Sequence, residues 1–277
     1  MKNRIIISLV ICIFSFNAKV LGQGKSLTDT VHTSVIQDIN LGLNDGVRLL
    51  KSPAGFTSKD WIILGGIVGV TTSSLFIDKT IRETAAKNHS AAMDNITEIG
   101  HDYGNGLYMV LLSGAAFLTG KIIKNNEIEG TGRMLLEAIA YSGIITTVLK
   151  VGLGRARPYT GNGAYDFFNF SIKNDYLSMP SGHSTVAFAV SSVLAAKIKN
   201  TYASIALYSL ACLTMYQRIY SDSHWFSDTF LGAAVSTVIG NAIVNYNISP
   251  EKSGKSSLII LPSFQEHSLG LSLVYSY

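Results

Sequence analysis

Charged side chains are scarce in this chain. Only 14% of its 277 residues are Asp, Glu, Lys or Arg, against roughly 25% in an average soluble domain. Hydrophobic residues make up 47%, and the mean hydropathy is +0.29. Such a shortage points to a membrane or to a very large buried interior. The formal charge of +4 is not gathered in a basic tract, which argues against nucleic acid as a partner. Cysteine is nearly absent too. Cys12 lies in an apolar leader without the pattern of a lipid-modified cysteine, so an exported chain that loses this leader keeps Cys212 alone and forms no internal disulfide. Cys212 sits in an apolar segment and reads as a small buried side chain. There is no internal repeat and no low-complexity tract. His32, His89 and His267 stand alone in polar surroundings, and His101 falls in what reads as a Gly100–Gly104 turn. No metal-ligand spacing emerges, so neither a metal nor another cofactor is expected.

What is present is organised in four stretches. Residues 1–22 read as an export signal, with Lys2 and Arg4 ahead of the apolar run Ile5–Phe16 and a small-residue cleavage site at Val20-Leu21-Gly22. That run is shorter than the roughly 20 residues of a membrane span. Residues 23–60 hold an amphipathic helix at 27–51, with Val31, Val35, Ile39, Leu43 and Val47 four apart. Its apolar face should lie on the bundle or on a lipid surface. Residues 61–247 carry six apolar segments, at about Trp61–Ile77, Leu107–Ile123, Met134–Leu149, Ser184–Ile198, Tyr202–Tyr216 and Thr229–Asn245. They are too long for strands and do not alternate. Helix-start signals stand at Thr57–Asp60, Ser181 and Asp228. The expected fold is all-α, a bundle of about six apolar helices. In the tail, 248–277, Leu258–Leu261 and Leu269–Tyr275 form either a terminal hairpin or an extended segment.

Three short motifs carry the chemistry: Lys150-x6-Arg157-Pro158, Pro180-Ser181-Gly182-His183, and Arg218-x5-His224-x3-Asp228. A phosphoryl group spreads its charge over three equatorial oxygens. Its transfer without a metal needs fixed cations, an in-line nucleophile and an acid for the leaving oxygen. Lys150, Arg157 and Arg218 supply the cations, and the two histidines supply nucleophile and acid. Asp228 stands four residues beyond His224, so on a helical turn it takes the proton of one ring nitrogen and frees the other to attack phosphorus. His183 is the acid. Ser181 caps a helix and donates to phosphate, and Gly182 allows close approach at the helix N-terminus. Arg155 has no assigned part and reads as a solvated or lipid-facing charge. Tyr159–Met179, with six aromatic residues, is a loop that either holds an acyl or prenyl chain or packs over the bundle end.

The three motifs together resemble the signature of the type 2 phosphatidic acid phosphatase superfamily, which includes bacterial class A acid phosphatases and vanadium haloperoxidases. The one departure is Gln217, where the family carries serine. The resemblance spans about Trp61–Tyr246 and implies a helical bundle with the site at one end, a phosphohistidine on His224, and a phosphomonoester or pyrophosphate substrate carried on a lipid. Rival readings are a soluble periplasmic acid phosphatase, a vanadium haloperoxidase and a non-enzymatic membrane scaffold. Lys121, Lys124, Arg133, Lys197 and Lys199 fall at the ends away from the motifs. By the positive-inside rule this turns the site to the periplasm of an exported, membrane-associated protein. Residues 23–60 belong to the same far end as those cations, so six full spans and a cleaved leader exclude one another.

Overall fold

The computed structural model describes residues 35–248 and, as backbone, 257–265 and 268–276. The leader and the beginning of the amphipathic helix lie outside the described residues. The helices are α1 (Val35–Lys51), α2 (Ser58–Ser74), α3 (Asp78–Ala86), α4 (Ala91–Tyr103), α5 (Gly106–Ile122), α6 (Asn126–Leu153), α7 (Gly182–Ile198), α8 (Thr201–Tyr220) and α9 (Phe226–Ile248). The all-α expectation holds. Five of the six apolar segments sit inside α5–α9, and the first runs through α2 into a short 3-10 turn, Leu75–Ile77. The polar helices α3 and α4 were not expected, because neither carries an apolar run. Their start signals are local, such as the Ser90 side chain that accepts from the Met93 amide.

Side-chain caps set most helix starts. Thr57 and Asp60 form a reciprocal capping box at α2. Asn105, Asn125 and Asn200 cap α5, α6 and α8, each accepting from amides of the first turn. Neighbouring helices then pack in the chain α5–α6–α7–α8–α4. The core is built from small residues, with Ala138, Ala187, Ala189 and Ala211 buried among Leu135, Val190, Val193, Leu207 and Ile243. Buried hydroxyls are paired in the same interior: Tyr103 with Ser191 at 2.8 Å and Thr146 with Thr185 at 2.9 Å. Cys212 corrects its expectation. The inward positions of α8 are Leu207, Ala211, Thr214 and Arg218, and Cys212 lies off that face, exposed.

Helix α1 turns its amphipathic pattern outward. Val35, Ile36, Ile39, Leu43, Val47 and Leu50 are exposed, whereas Asp38, Gly42, Asp45 and Gly46 are buried against α6. The buried face is an ionic seam. Lys121 reaches Asp38 at 2.6 Å and Glu129 at 2.8 Å, and Arg133 reaches Glu137 at 2.6 Å. The Tyr141 hydroxyl donates to the Gly42 carbonyl at 2.6 Å. The two alternatives left open by the sequence are therefore decided against the bundle for the apolar face.

Among the described residues, three helical stretches are long and apolar enough to cross a membrane: Ser58–Ala86, Asn126–Leu153 and Phe226–Asn247. In the tail, Ser257–Gln265 (β1) pairs antiparallel with Ser268–Ser276 (β2), placing Gln265 opposite Ser268. Both strands extend beyond the expected runs.

Close approach of α5 and α6 depends on two glycines. A Cβ at Gly120 would lie 2.2 Å from the Glu129 backbone nitrogen, and one at Gly132 would lie 2.3 Å from that of Phe117. Both obstacles are main chain, so the helices would have to separate. Gly132→Leu is expected to cost about 1–3 kcal/mol, read as a lower melting temperature of the detergent-solubilised protein; an unchanged midpoint would show that this crossing is not tight.

Candidate active site

Four helix termini converge on one end of the bundle. Lys150 stands in the last turn of α6, where its ammonium donates to the carbonyls of Leu177 (2.7 Å) and Ser178 (3.4 Å). The helix continues through Gly152 without loosening and stops at Gly154, whose left-handed φ of 57° ends it. A side chain there would strike the Phe168 carbonyl. Arg157 follows in extended conformation, as its position before proline requires. Its guanidinium donates to Asn174 O (3.0 Å), Asn174 Oδ1 (3.3 Å) and Ser223 O (3.3 Å) and lies 3.5 Å from His224 Nε2. Ser181 is the N-cap of α7, accepting from the Ser184 amide at 3.4 Å. It leaves the first-turn amides of Gly182 and His183 turned toward the same end. Nothing lies within 4 Å of where a Gly182 Cβ would stand. Arg218 closes α8, bonded through Nη2 to Ser221 Oγ at 3.1 Å. Its buried Nε, Gln217 Oε1 and His183 Nε2 find no partner among the described residues.

The histidine environments follow from this crowding. His224 is buried in the loop before α9, its amide bonded to the Arg218 carbonyl at 3.1 Å. Burial above all, with Lys150 and Arg157 adding and Asp228 opposing, lowers its pKa to about 3. His183 is lowered to about 3 as well, by burial first and then by Arg218, His101, His224 and Lys150. Both rings are neutral at neutral pH. His101 does not sit in a turn; it lies in α4, and its ring stacks on His183 with centroids 5.1 Å apart.

Residues 132–249 match the PAP2 superfamily. The matched stretch takes in all three motifs, from Lys150 to Asp228. It is 27% identical over 184 residues to the lipid A 1-phosphatase of Rhizobium etli, covering 61% of this chain and 76% of that protein. It is 25% identical over 267 residues to lipid phosphate phosphatase 1 of Arabidopsis thaliana, covering 81% and 78%. Among solved structures, a transmembrane PAP2 type phosphatidylglycerolphosphate phosphatase from Bacillus subtilis aligns at a TM-score of 0.49 with 19% identity, over 78% of this chain and 98% of that one.

The three motifs are held up by a group that sequence reasoning missed. Arg155 is fully buried, neither solvated nor facing lipid. Its Nη1 donates to Asp228 Oδ1 (2.6 Å) and Ser227 Oγ (2.7 Å), its Nη2 to Asp78 Oδ2 (2.7 Å), and its Nε to the Ala164 carbonyl (3.0 Å). Trp225 and Phe167 lie against its guanidinium, each ring centroid 5.5 Å from Cζ. The other Asp228 oxygen accepts from Ser178 Oγ (2.5 Å) and the Trp225 amide (2.9 Å). The second bond is the reach-back of a helix N3 carboxylate. His224 Nδ1 stands 3.7 Å from that oxygen, which is ion-pair range and too long for a hydrogen bond. The expected one-turn geometry fails because α9 begins at Phe226, after His224. Helix α3 clamps the same loop: Asp78 accepts from the Ser227 amide (2.9 Å) and hydroxyl (2.6 Å), and Arg82 grips Asp222 through two bonds of 2.5 and 2.7 Å.

Removing Arg155 leaves two buried carboxylates without their shared cation. Arg155→Ala is expected to destabilise the helical bundle by about 3–5 kcal/mol, whereas Lys150→Ala, whose ammonium holds only loop carbonyls, should cost far less. Chemical denaturation of both variants in detergent tests the contrast; equal midpoints would mean that the buried network contributes nothing to stability.

Proposed function

We propose that this chain is a phosphatase that hydrolyses a phosphomonoester or pyrophosphate on a lipid through a phosphohistidine on His224. The observation that carries the reading is the orientation of that ring. Nε2 faces the Arg157 guanidinium at 3.5 Å while Nδ1 faces Asp228 at 3.7 Å, so the attacking lone pair points to where an anion would be held. Three cations and the Gly182 and His183 amides surround the same end. The lipid A and lipid phosphate phosphatases among its relatives support a lipid substrate. So do its three long apolar helices, which a soluble acid phosphatase would not need.

In this mechanism Lys150, Arg157 and Arg218 neutralise the equatorial oxygens. The His224 Nε2 lone pair attacks phosphorus, the P–O ester bond breaks, and the leaving oxygen takes a proton from His183. The substrate dianion offsets the surrounding cations, so His183 gains its proton as the substrate binds. Water then attacks the phosphohistidine and gives its proton to His183, the P–N bond breaks, and phosphate leaves.

His224→Ala is expected to lower phosphate release by more than about 10³-fold, and His183→Ala by about 10²–10⁴-fold while accumulating labelled phosphohistidine. Wild-type release by the His224 variant would sink the mechanism. For localisation, we assign the site to the periplasmic face. Lys121, Lys124 and Arg133 sit at the α5–α6 junction, and Lys197 pairs with Glu127 at 2.8 Å at that same far end. Asn162→Cys should accordingly react with an impermeant maleimide in intact spheroplasts; reaction only after permeabilisation would place the site in the cytoplasm.

A further inference from the structure

The segment between Arg157 and Ser178 presents an apolar edge that the phosphate chemistry does not use. Phe168, Phe170 and Ile172 are 60%, 81% and 84% exposed. Their backbone is nevertheless tied down. The Phe168 amide donates to Gly154 O at 2.6 Å, Ala156 to Asp166 O at 2.9 Å, Arg157 to Asp175 O at 2.8 Å and Ser178 to Arg155 O at 3.1 Å. Fully buried Arg155 fixes the loop from below through the Ala164 carbonyl. Phe170 holds a left-handed φ of 60°, a conformation unfavourable for a bulky side chain. A loop this firmly anchored is a fixed projection.

Its position identifies what covers it. The loop folds back onto the C-terminal end of α6, one of the helices long and apolar enough to cross a membrane. The outward face of that helix, Ile144, Ile145 and Val148, is exposed as it runs toward the loop. Tyr165 donates to the Leu75 carbonyl at 3.2 Å, joining the loop to the turn of a second such stretch, where Phe76 and Ile77 are also exposed. Aromatic and aliphatic side chains at the ends of apolar helices belong at the boundary between headgroups and acyl chains. The polar side of the same loop, Asn174 and Leu177 O, holds Arg157 and Lys150.

We infer that Phe168, Phe170 and Ile172 form a membrane-seated wedge that sinks into the lipid leaflet and fixes the phosphate-binding cations at headgroup depth. The wedge and Arg157 share one tied-down loop whose carbonyls also hold Lys150, so a phosphate attached to a membrane lipid is met at the level where it lies. A soluble phosphoester gains nothing from the wedge. The kinetic consequence rests on the lipid-phosphate reading above, whereas the seating itself does not.

Two measurements on the full chain in phosphatidylcholine nanodiscs test this. For seating, Phe170→Trp should fluoresce with a blue-shifted maximum and be quenched when the acyl chains are brominated near the headgroup. A water-like maximum without quenching would overturn the wedge, whatever the substrate. For function, Phe170→Asn with Ile172→Ser keeps the left-handed position tolerable and removes the apolar edge. The double variant should raise KM for bilayer-presented phosphatidate about tenfold and leave hydrolysis of p-nitrophenyl phosphate unchanged. Equal loss on both substrates, or loss on neither, would overturn the proposal. A wild-type chain that hydrolyses p-nitrophenyl phosphate but no lipid would defeat the lipid-phosphate reading instead, and the fluorescence result would still decide the wedge.

Discussion

One buried guanidinium organises the end of this protein where the three motifs meet. Arg155 joins the α6–α7 loop, the start of α3 and the first turn of α9 through hydrogen bonds to Ala164, Asp78, Ser227 and Asp228. An uncompensated charge at such depth would be prohibitive. Here one cation meets two carboxylates, while hydroxyl and amide donors satisfy their remaining oxygens. The planar fork of arginine suits this task, since its donors diverge in fixed directions toward different chain segments. The motif residues are thereby positioned at second hand: Asp228 is fixed by Arg155, and the loop carrying His224 is fixed by Asp228, Asp78 and Arg82.

The cations proposed to bind phosphate are a different population. Arg157, Lys150 and Arg218 are bonded mainly to carbonyl and hydroxyl oxygens, not to carboxylates. Their charge therefore remains available to an incoming anion. Arg155 and Arg157 show the contrast within two residues of one loop: the first is neutralised by two carboxylates, the second by none among the described residues.

The sequence made much of this legible. The long apolar runs identified the bundle, because burial or lipid demands them, and motif spacing identified the polar residues that meet at one end. What it hid were relations between distant segments. Asp78 opens a short polar helix with no apolar run, and nothing local links it to Arg155, 77 positions away. An arginine flanked by glycine and alanine looks solvent-bound until its partners are known. The spacing of His224 and Asp228 suggested a helical turn, but the helix boundary falls between them, and the carboxylate spends its bonds on Ser178 and the Trp225 amide. Asx caps at Asn105, Asn125 and Asn200 were readable in principle, each standing just ahead of a helix.

The ionic seam of α1 bears on how the chain is assembled. Asp38 and Asp45 are made long before Lys121 and Arg133, the groups that lie against them. A nascent α1 therefore has an apolar face suited to lipid and an acidic face that is not. Without α5 and α6 those carboxylates would need water, since burying them unpaired is costly. Lys121 and Arg133 bring countercharge that lets the acids face inward, beside the Asp45–Arg48 pair at 3.9 Å within α1 itself. The inward face of α1 is thus specified by charges from a distant part of the chain, so its seating depends on α5 and α6.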